Sequence, residues 1–436
     1  MKIPLPHILL LAIIVTYAVI GTLYAIYTPA WQIPDEPAHY NYIRQLAEGR
    51  GLPVMEMGDY DQAYLDRLRG EMFPPELSIE PVTYEDHQPP LYYLLATPIY
   101  ALFGGQVVPL RLLSVVFGAA LLAAAYYAVR AVFPARPALA LIAAALIAFI
   151  PQHVAMTAGV NNDTLGELVL AVTLWALVVY LRGGYERAWP IGLLLAAALL
   201  TKGSIYVAVP AAAVGVAVRW RLEHRTWQWA AGQMAWMFVP ALLLSAPWFI
   251  RNGLTYGFHD LTGQVRHGDV VQGQLTTAEF LSEHGWGKLL SDMARTTFDS
   301  FWGQFGWMAV PLQARFYRVL LAFSLACAGG FAWWLFDRRR PRLTGHQRAS
   351  LLLLLASSLL SVLVFVGYNA QFLQHQGRYL FTALVPIGTA VALGLDQLSS
   401  VLPKRMRYWP VGAIFAALAL FAVYCLFRVV VPFLSR

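Results

Sequence analysis

Charge is scarce in this 436-residue chain. Only 13% of its residues are Asp, Glu, Lys or Arg, against 58% hydrophobic, whereas an ordinary soluble domain carries about 25% charged residues. That shortage excludes a soluble globular protein. Cysteine is nearly absent as well: Cys327 and Cys425 lie inside apolar runs and read as core thiols, which specify neither a disulfide framework nor a redox compartment. A Walker-type phosphate loop and a Rossmann Gly-rich turn are both lacking, so no nucleotide site is required.

The charge that is present is unevenly spread. The 31 Lys and Arg against 24 Asp and Glu give +7, a balance that alone would suggest a nucleic-acid partner. Half of the acids, 12 of 24, fall between Asp35 and Asp86, where the basic residues are Arg44, Arg50, Arg67 and Arg69. That island is −8 and the rest of the chain +15. The excess sits in short loops between apolar runs, so it speaks for membrane orientation and not for nucleic acid.

A spanning helix needs roughly 20 mostly apolar residues. Leu5 to Tyr27 has no charged residue and lacks a small-residue cleavage site, so it reads as a retained first span. Further candidates are Val107 to Val129, Ala138 to His153, Thr164 to Tyr180, Trp189 to Thr201, Gly203 to Val218, Trp227 to Ile250, Val319 to Phe336, Ala349 to Gly367, Tyr379 to Leu395 and Tyr408 to Phe427. Basic loops at Arg130, Arg182, Arg219, Arg338 and Lys404 mark the cytoplasmic side. Keeping them all there requires two short helices turning at Lys202, and a half-span or juxtamembrane helix over Pro89 to Phe103. The expectation is an all-α polytopic membrane protein forming one domain over residues 1–436, with roughly 11 to 13 membrane segments. Two long outer loops, residues 28–88 and 251–316, join the turn at Asn161 to Asp163, the tip at Lys202 and the short loop at Gln374 to Arg378 on one face.

Ionisable residues at span ends are costly and functional by default. The first span runs into Asp35-Glu36-Pro37-Ala38-His39-Tyr40, two carboxylates in a partly dry setting expected to raise their basicity. Either can serve as general base on a hydroxyl; alternatively Asp35 caps the following helix, with Pro37 in its first turn. The island closes in Glu85-Asp86-His87-Gln88-Pro89-Pro90. With Asp35, these residues are candidate ligands for a divalent cation, oxygen donors suiting Mg or Mn and a histidine admitting Zn. The other readings are positioning of a polyhydroxylated substrate and a solvated loop end. Asn162 and Asp163 either cap the next span or face the same cavity. Lys202, Arg251 and Arg378, the last preceded by His375, are cations at outer span ends that together would make a phosphate clamp.

Several of these segments carry a resemblance. The Asp35-Glu36-Pro37-Ala38-His39 run after a first span, the Gln88-Pro89-Pro90-Leu91-Tyr92-Tyr93 loop end and the Thr201-Lys202-Gly203 turn resemble the integral-membrane glycosyltransferases of the GT-C fold. Ser300 to Trp307 and Gln376-Gly377-Arg378-Tyr379-Leu380-Phe381 are similar to the DUF2142-type branch, with distant likeness to lipid A aminoarabinose transferases and protein O-mannosyltransferases. The resemblance implies a polyprenyl-phosphate sugar donor, a glycan, lipid or protein acceptor at the outer face, and inversion at the anomeric carbon. By position it makes Asp35 the general base supported by Glu36, puts Glu85 in the cavity with His39, Tyr40, Asp86 and His87, and sets Lys202 and Arg378 near the donor phosphate. It implies a prokaryotic plasma membrane with the site facing outward. Only Val429 to Arg436 follow the last span, so acceptor recognition is expected to rest on the outer loops. The rival readings are a transporter or flippase, which would favour internal repeats and midplane sites, a polymerase or ligase working through residues 251–316, and a non-catalytic binder of lipid-linked glycans.

Overall fold

In lipid, backbone N–H and C=O groups have only each other as partners, so apolar runs of this length become helices. The computed structural model describes residues 4–339 and 341–435. The first helix, α1 (Leu5–Tyr27), is followed by the first of the two regions expected on the outer face, with α2 (Glu36–Ala47), α3 (Gln62–Gly70) and the short α4 (Leu91–Leu102). Then come α5 (Val107–Val132), α6 (Pro137–Phe149), α7 (Pro151–Thr157), α8 (Asp163–Leu181), α9 (Trp189–Leu199), α10 (Ala208–Leu222) and α11 (Trp227–Tyr256). The second outer region holds α12 (Gln264–Val270), α13 (Thr277–Trp302) and a two-residue antiparallel ladder pairing Gln304–Phe305 with Val310–Pro311. The chain ends through α14 (Ala314–Phe336), α15 (Gly345–Gln371), a 3₁₀ stretch at Gly377–Ala383 leading into α16 (Leu384–Ser399), and α17 (Trp409–Cys425).

Among the described residues, nine helices are long and apolar enough to cross a membrane, or ten if the bent α6–α7 pair is one span; α4 and α9 are shorter apolar helices. The 11 to 13 segments expected are therefore reached when α4 and α9 are counted with them. The expected span Ala138 to His153 is instead broken, α6 and α7 meeting at 69°. Pro151 explains the break, since it has no N–H to donate and disfavours helical geometry at the residue before it; Ile150 is extended, with φ −68° and ψ 115°. The break brings His153 and the Asn161–Asp163 turn inward. α11 continues through Arg251 to Tyr256 instead of stopping at Ile250.

The core lies where α1, α5, α6, α8 and α16 pack together. Small residues let backbones approach there: a Cβ on Gly330 would lie 2.4 Å from the Gly394 carbonyl oxygen, where α14 crosses α16. Large apolar side chains such as Leu243, Leu254, Leu325 and Leu363 remain exposed on the outside of the bundle, the pattern of a lipid-facing surface. A buried ion pair is sealed where the first span ends. Arg111 of α5 is 2% exposed and its guanidinium reaches Glu36 at 2.6 and 2.8 Å and the carbonyls of Ala25, Thr28 and Pro29. This pins the end of α1 to the start of α2.

Candidate active site

The loop between α1 and α2 places Asp35. Its backbone is left-handed, φ 67°, as is that of Trp31, a conformation costly for residues with a Cβ and common where a site constrains the chain. Asp35 occupies the N-cap position of α2 but its side chain makes no capping hydrogen bond. The carboxylate turns instead to two other partners: Arg378 Nη2 donates to Oδ2 at 2.6 Å and the Tyr84 hydroxyl donates to Oδ1 at 2.8 Å. Three segments far apart in sequence thus meet at one carboxylate.

Electrostatics at Asp35 run opposite to the sequence expectation. Burial raises its pKa, but Arg378, His39 and the two hydrogen bonds outweigh burial and lower it to about 2. The paired carboxylate is therefore a weaker base than a free one. Arg378 keeps unused capacity, because its buried Nε has no hydrogen-bond partner among the described residues.

Asp35, Tyr84, Glu85, Arg378 and Tyr379 line a polar cavity of about 130 Å³, with Trp307 and His267 contributed by the second outer region. Glu85 accepts from Gln88 Nε2 at 2.8 Å, and burial raises its pKa. Lys202 and Asp163 stand outside this wall and pair at 2.6 Å. Burial works against the Lys202 ammonium, yet Asp163 and Glu85 more than offset it and raise its pKa. The turn is set by Asn162, whose amide donates to Gln88 Oε1 and to the Thr201 carbonyl, both at 3.2 Å. Asn162 makes no side-chain cap on α8; it fastens the Lys202 turn to the loop end at Gln88.

The other expected site residues are placed elsewhere. Glu36 is fully buried and satisfied by Arg111 and by the backbone N–H groups of Trp31 and Val160. It holds the Asp35 loop in shape and does not line the cavity. His39 Nδ1 lies 2.8 Å from the Tyr93 hydroxyl of α4, and Tyr40 donates to the Gly105 carbonyl at 2.8 Å in the turn after α4, so both hold α2 against that segment. Asp86 is buried beneath the loop. The His87 ring lies 4.4 Å from that of His267, tilted by 51°. Arg251 is drawn to the Leu52 and Pro53 carbonyls and stacks over Trp248, which removes it from the expected clamp with Arg378. His375 is buried, its carbonyl accepting from Thr297 Oγ1 at 3.0 Å.

The proposed ligand set Asp35, Glu85, Asp86 and His87 does not assemble: among the described residues no three His, Cys, Asp or Glu side chains gather to hold an ion. Asp35 is committed to Arg378 and Tyr84, and His87 faces His267. The residues present do not fit a metal centre, and no step below runs through one.

Sequence reasoning missed Tyr84, Trp307 and Arg111. Arg111 had a readable signal, a lone charge inside an apolar span. Tyr84 had none; Trp307 lay in a segment that carried the resemblance, and it reaches the site because its indole N–H donates to the Trp31 carbonyl at 2.9 Å.

These features define a polytopic helical protein with a polar cavity where two outer regions and the ends of several spans meet. Residues 87–250 match the family model described as dolichyl-phosphate-mannose-protein mannosyltransferase. No curated protein sequence matches the chain. Among solved structures, ArnT from Cupriavidus metallidurans bound to undecaprenyl phosphate is similar at 16% identity and a TM-score of 0.53, over 98% of this chain and 73% of that one. The fold is of the GT-C type. The S. cerevisiae Pmt1–Pmt2 protein O-mannosyltransferase complex bound to the sugar donor aligns at 18% identity and TM-score 0.43, over 58% of this chain and 34% of that one. The Archaeoglobus fulgidus oligosaccharyltransferase in complex with Zn and sulfate aligns at 15% identity and TM-score 0.45, over 97% and 52%. This chain thus spans about a third and about half of the length of those two. The DUF2142-type likeness continues to rest on the residue segments alone.

Proposed function

We propose that this protein is a membrane glycosyltransferase that moves a single sugar from a polyprenyl-phosphate donor to an acceptor hydroxyl, at the membrane face opposite the arginine-rich loops. The observation that carries the reading is the Asp35–Arg378 pair at the wall of a polar cavity, supported by the fold and by the family match over residues 87–250. In this reading the acceptor oxygen attacks the anomeric carbon and its proton passes to Asp35. The bond from that carbon to the phosphate oxygen breaks, and the polyprenyl phosphate leaves with the electron pair. A single displacement of this kind inverts the anomeric centre.

The resting ion pair gives the reaction an order. A donor phosphate competes with Asp35 for Arg378, whose guanidinium is suited to a planar array of phosphate oxygens, and Lys202 adds a second cation nearby. As Arg378 turns to the phosphate, the influence that holds Asp35 at about pKa 2 weakens, so the carboxylate becomes a better base when the donor is in place. The two cations then stabilise charge developing on the leaving phosphate. An apolar groove of about 740 Å³, lined by Leu146, Met293, Phe298, Phe323 and Leu380 among others, begins two residues from Arg378 and suits a prenyl tail entering sideways from the bilayer. Outward orientation follows the positive-inside rule.

The test is transfer in liposomes from labelled polyprenyl-phosphate sugars, hexosyl and pentosyl, comparing the native protein with Asp35→Asn. The variant is expected to lose turnover by about 10²–10⁴-fold, the range of general-base contributions, while still binding donor. Native-level turnover by Asp35→Asn overturns the base assignment.

A further inference from the structure

The face opposite the site carries its own cavity, of about 420 Å³. It is built by the loop between α5 and α6, the loop between α14 and α15, the end of α16 and the residue pair before α17. Among the described residues, Arg136, Arg339, Arg342 and Arg407 line it against Asp337 and Asp396, with Phe133 and Trp334 buried in its wall. Four cations against two anions leave an uncompensated +2.

How the charges are paired decides what this cavity can do. Asp396 is 1% exposed and saturated: Arg136 and Arg407 both bind its carboxylate and the Tyr408 hydroxyl donates to it at 2.8 Å. Asp337 accepts from Gln397 Nε2 at 3.0 Å and from the Arg339 backbone N–H at 2.9 Å. Both acids are therefore spent on fixing the cavity wall. Arg339 and Arg342 are exposed, and among the described residues their guanidinium groups have neither an ion-pair nor a hydrogen-bond partner. The Nε of Arg407 is buried and lacks a partner as well. The positive-inside rule asks for arginines on this face, but orientation needs no convergence on a walled cavity beside a buried acidic hub.

We propose that this cavity binds the phosphate of an anionic phospholipid headgroup from the adjoining leaflet, held by Arg339 and Arg342 over the Asp396 hub. Basic pockets between spans on this side are the form such lipid sites take, and two unpaired guanidinium forks match phosphate oxygens. A bound headgroup would clamp the α14–α15 loop to the end of α16, and α16 continues directly from Arg378. The site is separate from the transferase reading and stands or falls without it.

The experiment measures thermal stability of the purified full-length protein in nanodiscs of phosphatidylcholine alone and with phosphatidylglycerol added. Ligand binding to the folded state raises the transition temperature. Phosphatidylglycerol is expected to raise it in the native protein, and the Arg339→Gln/Arg342→Gln variant is expected to lose about half or more of that rise. A Lys404→Gln/Arg405→Gln variant removes the same charge from the same face but outside the cavity, and is expected to keep the rise. An equal loss in both variants, or no lipid dependence in the native protein, overturns the proposal. Inorganic phosphate in phosphatidylcholine nanodiscs is expected to give little stabilisation; a rise equal to that from phosphatidylglycerol overturns the lipid source.

Discussion

Arg378 and Asp35, 343 residues apart in the chain, meet with 2.6 Å between Nη2 and Oδ2. In the proposed reaction, this pairing makes the part played by each residue conditional on the other. Because Arg378 and His39 outweigh burial and lower the Asp35 pKa to about 2 from 3.8, the stabilisation from this pair is fully present above about pH 4. It is lost only as pH falls through about 2.

Replacing Arg378 should act on the donor and on the base together. Arg378→Ala is expected to weaken polyprenyl-phosphate binding by about 10–100-fold, the value of a charged hydrogen bond of roughly 1.5–3 kcal/mol, and to move the acid limb of the pH–rate profile upward because Asp35 loses its counter-charge. Titration of binding by intrinsic fluorescence checks the first expectation. Unchanged donor affinity would remove Arg378 from the phosphate.

Glu36 should prove structural. Glu36→Gln leaves Arg111 charged and sealed within the bundle, and breaking one side of a buried pair costs about 3–5 kcal/mol. The expected result is a marked fall in thermal stability with substrate affinities of the surviving protein unchanged. The double variant Glu36→Leu/Arg111→Met should recover part of the stability. A Glu36→Gln protein as stable as the native one but without turnover would return Glu36 to the chemistry.

The His87–His267 contact gives the outer region a dependence on pH. Burial lowers the imidazole pKa to about 4 for His87, and burial together with His87 lowers it to about 3 for His267. Between about pH 6.5 and 4 the unfolded chain therefore binds more protons than the folded one, so stability declines as pH falls through that window. His267→Phe is expected to flatten the decline, measured as transition temperature against pH. The same slope in native protein and variant would refute this.

Gly377, next to Arg378, packs directly against the backbone of α13. A Cβ there would sit 2.3 Å from the Thr297 carbonyl oxygen and 2.4 Å from the Phe301 nitrogen, backbone atoms that cannot give way cheaply. Gly377→Ala is expected to separate the start of α16 from α13, lowering thermal stability and donor affinity together. A variant that matches the native protein in both would show that this close approach is dispensable.

Sequence alone determined that the chain is a helical membrane protein, because only helices of about 20 apolar residues satisfy backbone groups in lipid. It also determined which face deserved attention, since acids and cations at span ends are too costly to be idle. Asp35, Glu85 and Arg378 were legible on that ground, and all three line one cavity. Tertiary structure decided the pairings within the set. Asp35 and Glu36 are neighbours in sequence, yet the left-handed backbone at Asp35 sends one carboxylate to Arg378 and the other to Arg111. Arg251 and Arg378 look alike as cations at span ends, but Arg251 finds its partners in carbonyls of the first outer region. Pairing across hundreds of residues depends on how helices pack, and packing is set by contacts that no local pattern of residues encodes.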